Sequence, residues 1–233
     1  MKDYYIVRST VFAKSGSSKI LYTLASLYIS LFGLEYASIY AISTSIWTLV
    51  EYLLQKYKVR KISPMYIGKK QVPRTLALFL QGSQEAGFVT VYSLYFADNY
   101  KEQADLLLYT LCLIFLNVIV SKRWTNQGQY YSRRKITDKK SVSILSLVTA
   151  IDIYYLANIE FLRPFEMLCI MNLFGIIWTY AQVNIKARNV VNEKGFPVSF
   201  TEKILVLFYD ILIEIAMAYM PFYILNAYWM RYI

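Results

Sequence analysis

The chain has 233 residues, 57 % hydrophobic and 17 % aromatic, with 25 Lys and Arg against 15 Asp and Glu, a formal net charge of +10 and no histidine. Lack of His removes the commonest metal ligand and the usual general base at neutral pH. The only thiols, Cys112 and Cys169, lie in apolar runs where neither a disulfide nor a metal site is implied, so no zinc, haem or iron–sulfur centre is expected.

Seven apolar stretches follow one another near residues 20–34, 36–55, 75–96, 106–121, 141–157, 167–185 and 204–228. Most are long enough to cross a hydrocarbon core of about 30 Å at about 1.5 Å per helical residue, and the first, fourth and fifth are at or below the usual length. The expected fold is all-α, a polytopic transmembrane bundle of seven helices forming one integral-membrane domain over residues 1–233. Ahead of the first stretch, "KSGSSK" (Lys14 to Lys19) reads as a short flexible lead into an uncleaved signal-anchor helix.

The second stretch aligns Thr44, Thr48, Glu51 and Gln55 at helical spacing, and the third carries Gln81 and Glu85 inside "QGSQEAG". Small residues let helices approach closely and amides bond between them, so this segment suits packing as well as binding. The fourth stretch has only Thr110, Asn117 and Ser121 and is expected to face lipid. The fifth aligns Ser143, Ser146, Thr149 and Asp152, and the sixth Asn172, Thr179 and Gln182. The seventh places Asp210 and Glu214 one turn apart, before a kink expected at Pro221. Trp47 and Trp178 read as packing residues. Trp124, Tyr130, Tyr131, Tyr228 and Trp229 fit the aromatic belt of a membrane interface.

Basic residues alternate with these stretches. The N-terminal arm holds Lys2, Arg8, Lys14 and Lys19, and residues 56–74 hold Lys56, Lys58, Arg60, Lys61, Lys69, Lys70 and Arg74. Residues 122–140 hold Lys122, Arg123, Arg133, Arg134, Lys135, Lys139 and Lys140, and residues 186–203 hold Lys186, Arg188, Lys194 and Lys203. Together they are 22 of the 25 cations. The other side keeps only Lys101, Arg163 and Arg231, beside Glu35, Asp98, Glu102, Asp105, Glu160 and Glu166. Orientation follows this bias, so the N-terminus is expected in the cytoplasm and, after seven crossings, the C-terminus outside. Cationic flanks of this kind lie against anionic lipid at the cytoplasmic face and do not indicate nucleic acid.

Five carboxylates fall inside the stretches: Glu51, Glu85, Asp152, Asp210 and Glu214. Each costs on the order of 2.5–3.5 kcal/mol at a helix centre and normally turns towards a bundle interior or water. The stripes point to a polar, acid-lined interior formed by Glu51, Gln81, Glu85, Asp152, Gln182, Asp210 and Glu214. Glu51 and Asp210 belong to the cytoplasmic half, Glu85 and Glu214 to the midplane and Asp152 to the outer half. The plainer alternative has Glu51 snorkelling to Lys56 or Lys58 and the others acting as protonated structural donors. With no Lys or Arg placed inside any stretch, no basic side chain is expected at the depth of these acids.

The seven stretches, the cytoplasmic N-terminus, "TYAQVNIK" at the end of the sixth, "TEKILVLFYDILIEIAMAYM" in the seventh and "KKQVPR" before the third resemble the heliorhodopsins, microbial-rhodopsin relatives of inverted topology. The resemblance covers about a quarter of the chain and implies a seven-helix scaffold. Glu214 stands where that family's retinal-linking lysine would align, and Ala77 where its counterion would be expected. "GLE" replaces the family's long hairpin between helices 1 and 2, so the resemblance implies no covalent retinal. No enzyme is expected, because nothing marks a nucleophile or metal. The function expected is proton or small-cation transport, or small-ligand binding, in the polar interior. The alternative is a non-transporting structural or signalling subunit, with a second copy or other membrane subunits as partners and residues 122–140 as a contact surface.

Overall fold

The computed structural model describes residues 3–8, 15–57, 64–103, 105–123, 132–136, 139–159, 161–214 and 219–232. It is 75 % helical. The helices are α1 Gly16–Ser30, α2 Leu34–Lys56, α3 Arg74–Gly82, a π-helical turn Ser83–Phe88 that runs on into α4 Val89–Asn99, α5 Asp105–Arg123, α6 Lys139–Ala157, α7 Leu162–Asn184, α8 Phe200–Glu214 and α9 Met220–Met230. Every one of the seven apolar stretches falls on helix. Two, α2 and α7, are long and apolar enough to cross a membrane, and only 28 % of the most apolar part of each is buried. A core helix of a water-soluble protein would be mostly covered. Here Leu24, Leu31, Leu108, Phe115, Leu147 and Phe165 are exposed, while Ser26, Ser43, Thr90 and Asp210 are buried, the reverse of the usual partition in water.

The last stretch is described as α8, up to Glu214, and α9, from Met220; residues 215–218 between them lie outside the described set, and Pro221, where the sequence expects a kink, is the second residue of α9.

The N-terminal region differs from expectation. The first helix begins at Gly16, so the residues from Gly16 to Lys19 form its first turn and not a flexible lead. The short hairpin of β2 (Tyr66–Ile67) and β3 (Lys70–Gln71) turns through Gly68 at φ +59° and packs on that helix start. Ser15 bridges to Tyr66, and a Cβ on Gly16 would stand 2.9 Å from the Tyr66 carbonyl oxygen. Met65, Val72 and Leu80, with Ile20 and Ala77, seal the contact.

Three other basic segments join in a sheet that helical periodicity does not reveal. β1 (Tyr4–Arg8) lies between β4 (Ser132–Lys135) and β5 (Arg188–Asn192), antiparallel to both, with Ile6 opposite Arg134 and Val190. Ile6 and Val190 bury one face of the sheet against Ile136, Val206 and Leu207. Asp3 pairs with Lys135 at 2.5 Å, and the Tyr4 hydroxyl donates to Glu202 at 2.8 Å. The sheet thus gathers the arm before α1, the segment before α6 and the segment before α8 at one end of the bundle, and Ser15 ties in the hairpin. The charge alternation read along the chain becomes a basic end in space.

At the opposite end Arg163, at the start of α7, donates to Glu35 at the start of α2 and to Asp98 at the end of α4. Lys101 pairs with Glu166 at 3.3 Å, and Arg231 donates to the Asn158 carbonyl at 3.1 Å. The apolar core, including Ile39, Leu94, Met167 and Met220, fills the bundle between α2, α4, α7 and α9.

Candidate functional site

The site begins with how closely α2 meets the π-helical turn. A Cβ on Gly82 would stand 2.9 Å from both the Thr44 carbonyl oxygen and the Thr48 nitrogen, and one on Gly87 would stand 2.8 Å from the Tyr40 ring. Only glycine allows that approach. The extra residue of a π turn also shifts the side chains that follow it around the helix axis, and such turns are frequent at functional sites. "QGSQEAG" is therefore both a packing and a polar segment, with its glycines against α2 and its amides and acid directed to neighbours.

Three of the expected site residues meet there. The Glu85 carboxylate accepts from Trp47 Nε1 at 3.0 Å and from Gln81 Nε2, while the Tyr219 hydroxyl donates to the Glu85 carbonyl at 2.9 Å. Trp47 is thus a polar partner and not simply a packing residue. Lys19, with no exposed surface, donates from Nζ to Gln84 Oε1 at 2.5 Å, and Glu85 and Glu51 are the acids whose charges act on it. Glu51 is itself 1 % exposed. It does not snorkel to Lys56, whose ammonium lies over the Tyr52 and Tyr57 rings; Lys58 lies outside the described residues.

A cation at the depth of the acids corrects the expectation that none would be present. Lys19 is counted with the flanking cations by sequence. The helix nevertheless starts one turn earlier than the hydropathy does, and Lys19, Thr23 and Ser26 follow at helical spacing on its buried face. That stripe is the signal sequence reading passed over.

A second pair forms around Asp210. Arg188 from β5, 5 % exposed, donates from Nη2 to Asp210 and from Nη1 to Thr179 Oγ1 at 3.3 Å, with Gln182 buried one turn along α7. Nothing in the linear pattern places Arg188 here, because only pairing with β1 turns this segment back under α8. Asp210 and Gln182 therefore belong to a different group from Glu51, Gln81 and Glu85, and the single converging cavity divides in two.

The remaining expectations divide further. Of the four residues of the α6 stripe Asp152 alone is buried; Ser143 and Ser146 are exposed and Thr149 is half-buried, so that stripe does not converge on the interior. Asp152 Oδ2 has no hydrogen-bond partner among the described residues. The Glu214 side chain lies outside the described residues, as do Trp124, Tyr130 and Tyr131. Asn172 bonds only the Leu168 carbonyl of its own helix. α5 exposes most of its apolar side chains as expected, but Thr110 turns inward to share a 2.6 Å hydrogen bond with Tyr92. Cys112 and Cys169 are exposed on their helices.

Followed along α2, the hydrogen bonds form a polar seam. Glu35 meets Arg163, Ser38 donates to Asn226, and Tyr40 shares a 2.8 Å bond with Ser83, which shares one of 2.7 Å with Thr23. Thr90 donates to Ser43 at 2.9 Å, Trp47 reaches Glu85, and Glu51 faces the charge of Lys19. From Glu35 to Glu51 is about 24 Å along a helix at about 1.5 Å per residue, most of a hydrocarbon thickness. These are separate hydrogen-bonded contacts along one face of α2, with the Thr44 and Thr48 hydroxyls between them unpartnered among the described residues. The buried Lys19 ammonium opposes a metal cation at the Glu51 and Glu85 end. Compared with known protein families, curated proteins and solved structures, the chain matches none.

Proposed function

We propose that the chain is a multi-pass membrane protein, N-terminus in the cytoplasm, that moves protons along the α2 seam between the basic and acidic ends, without covalent retinal. The observation that carries this reading is the Lys19, Glu51 and Glu85 group: one buried cation in the field of two carboxylates at the base of a line of polar contacts as long as a membrane helix. Lys19 holds the carboxylates in the bundle and keeps metal cations away; Glu85, fixed by Trp47 and Gln81, accepts and releases the proton. Charged lipid headgroups hold the basic end against the cytoplasmic leaflet.

The test is proton flux into liposomes carrying the purified protein. Glu85→Gln abolishes the flux and Lys19→Met reduces it strongly, while Ser146→Ala, on the exposed face of α6, leaves it unchanged. Wild-type protein that gives no flux above empty liposomes under either polarity of pH gradient or voltage removes the reading.

One observation favours a structural subunit instead. Among the described residues the sheet at the basic end carries β4 on its edge, with β1 pairing one side of that strand, and β-strand addition from a partner would extend it. A stable co-purifying subunit, together with absent flux, would select this second reading.

A further inference from the structure

We infer that Arg163 is the gate of the seam at its acidic end, an ion-pair clamp whose release admits water to Ser38 and Asn226; this rests on the proton-transfer reading for its purpose but not for its geometry. Arg163 uses its whole guanidinium edge. Nη1 and Nη2 donate to Glu35 at 2.8 and 3.0 Å, and Nε and Nη2 donate to the two oxygens of Asp98 at 2.6 Å each. The Tyr36 hydroxyl adds a 2.7 Å bond to Asp98. Two bidentate contacts from one side chain therefore fasten the start of α7 to the start of α2 and the end of α4, three helices that share the apolar core.

What lies directly beneath makes this more than a surface ion pair. Ser38 is one turn deeper on α2 than Glu35, and its single hydroxyl proton can go to the Glu35 carbonyl, at 3.1 Å, or to Asn226 Oδ1 on α9. Asn226 has no exposed surface, and its Nδ2 has no hydrogen-bond partner among the described residues. A buried amide donor of this kind is costly unless water reaches it. The clamp lies one turn along α2 from Ser38, the half-buried partner of that amide, with its carboxylates 30 % and 20 % exposed and Arg163 27 % exposed. Loss of the Glu35 contact frees α7 from α2, and loss of the Asp98 contact frees it from α4. Among the described residues the other charged groups at this end are Lys101 and Glu166, paired with each other, and Arg231 at the end of α9, which is bonded to the Asn158 carbonyl.

The experiment uses full-length protein with Cys112→Ser and Cys169→Ser, reconstituted in liposomes, and Ser38→Cys as a reporter labelled by a membrane-impermeant thiol reagent. With Arg163 intact, labelling of the reporter is expected to be slow. In Arg163→Gln, and more mildly in Glu35→Gln, it is expected to rise at least about tenfold. Should Arg163→Gln not assemble, Glu35→Gln against the Arg163-intact reporter carries the same comparison. Labelling that is equally fast in all forms, or equally absent from all of them, overturns the gate. The outcomes are separable from those of the flux assay. Fast labelling in the variants without any proton flux leaves the gate standing and removes proton transfer, whereas flux that depends on Glu85 with unaltered labelling removes the gate alone.

Discussion

At the basic end the cation shared between two carboxylates is Lys19, with no exposed surface; at the acidic end it is Arg163, with just over a quarter of its side chain exposed. The first donates to Gln84 and lies in the field of Glu51 and Glu85, the second donates four hydrogen bonds to Glu35 and Asp98. Desolvation makes the first the stronger anchor, because removing Lys19 leaves Glu51 charged away from water, whereas Glu35 and Asp98 can be rehydrated in place. The buried group is therefore the one on which the fold depends, and the exposed one is free to open and close.

Breaking the buried side should have the largest effect. Lys19→Met or Arg188→Met each leaves a carboxylate uncompensated and should lower stability by about 3–5 kcal/mol, read as unfolding in detergent. Combining Arg188→Met with Asp210→Leu should recover most of the loss, since the whole pair is then exchanged for apolar groups. A double variant no better than the single one would show that the pair positions α8 in some other way. Next in size is Gly87→Ala, which drives a methyl group against Tyr40 and Thr44 and should cost about 1–3 kcal/mol by the overpacking it forces between α2 and the π turn.

The exposed side should respond less. Arg163→Gln should cost about 1 kcal/mol in unfolding, since its carboxylates remain in contact with water. A loss as large as that of Lys19→Met would contradict the contrast between the two ends. The smallest effect is at Lys101, whose ammonium is held above its ordinary pKa of 10.5 by the hydrogen bond and charge of Glu166. What this pair contributes is complete below the ordinary lysine pKa and disappears as pH rises through the raised value. Lys101→Gln should thus leave the melting temperature unchanged at pH 7 only to within a small decrement, and remove any difference between neutral and strongly alkaline pH that belongs to this contact.

The seven helical stretches were legible because a long apolar run has few conformations other than helix available to it when buried or in lipid. Their ends were less so. Lys19 fell outside the first stretch because hydropathy drops at a charged residue, while the backbone goes on making helical hydrogen bonds through it. Glu51, Gln81 and Glu85 could be placed on facing stripes from spacing alone, since helical phase is a local property. The α6 stripe shows the limit of that method: Ser143, Ser146, Thr149 and Asp152 keep the spacing, yet only Asp152 is covered, because spacing defines a face without choosing what it meets.

Taken alone, the sequence determined the helical segments, the segregation of Lys and Arg to alternate connections and the burial of Glu51, Asp152 and Asp210 within apolar helices. Each follows from one residue's solvation or one helix's periodicity. Only tertiary structure decided that β1, β4 and β5 would gather the connections into a sheet, that Lys19 and Arg188 would be carried in to meet the acids, and that Arg163 would join α2, α4 and α7. Those partners are up to 188 residues apart in the chain, from Tyr4 to Asn192. Their meeting depends on strand register, on the glycine-permitted approach of two helices and on which charges can be desolvated together, none of which is encoded within a single segment.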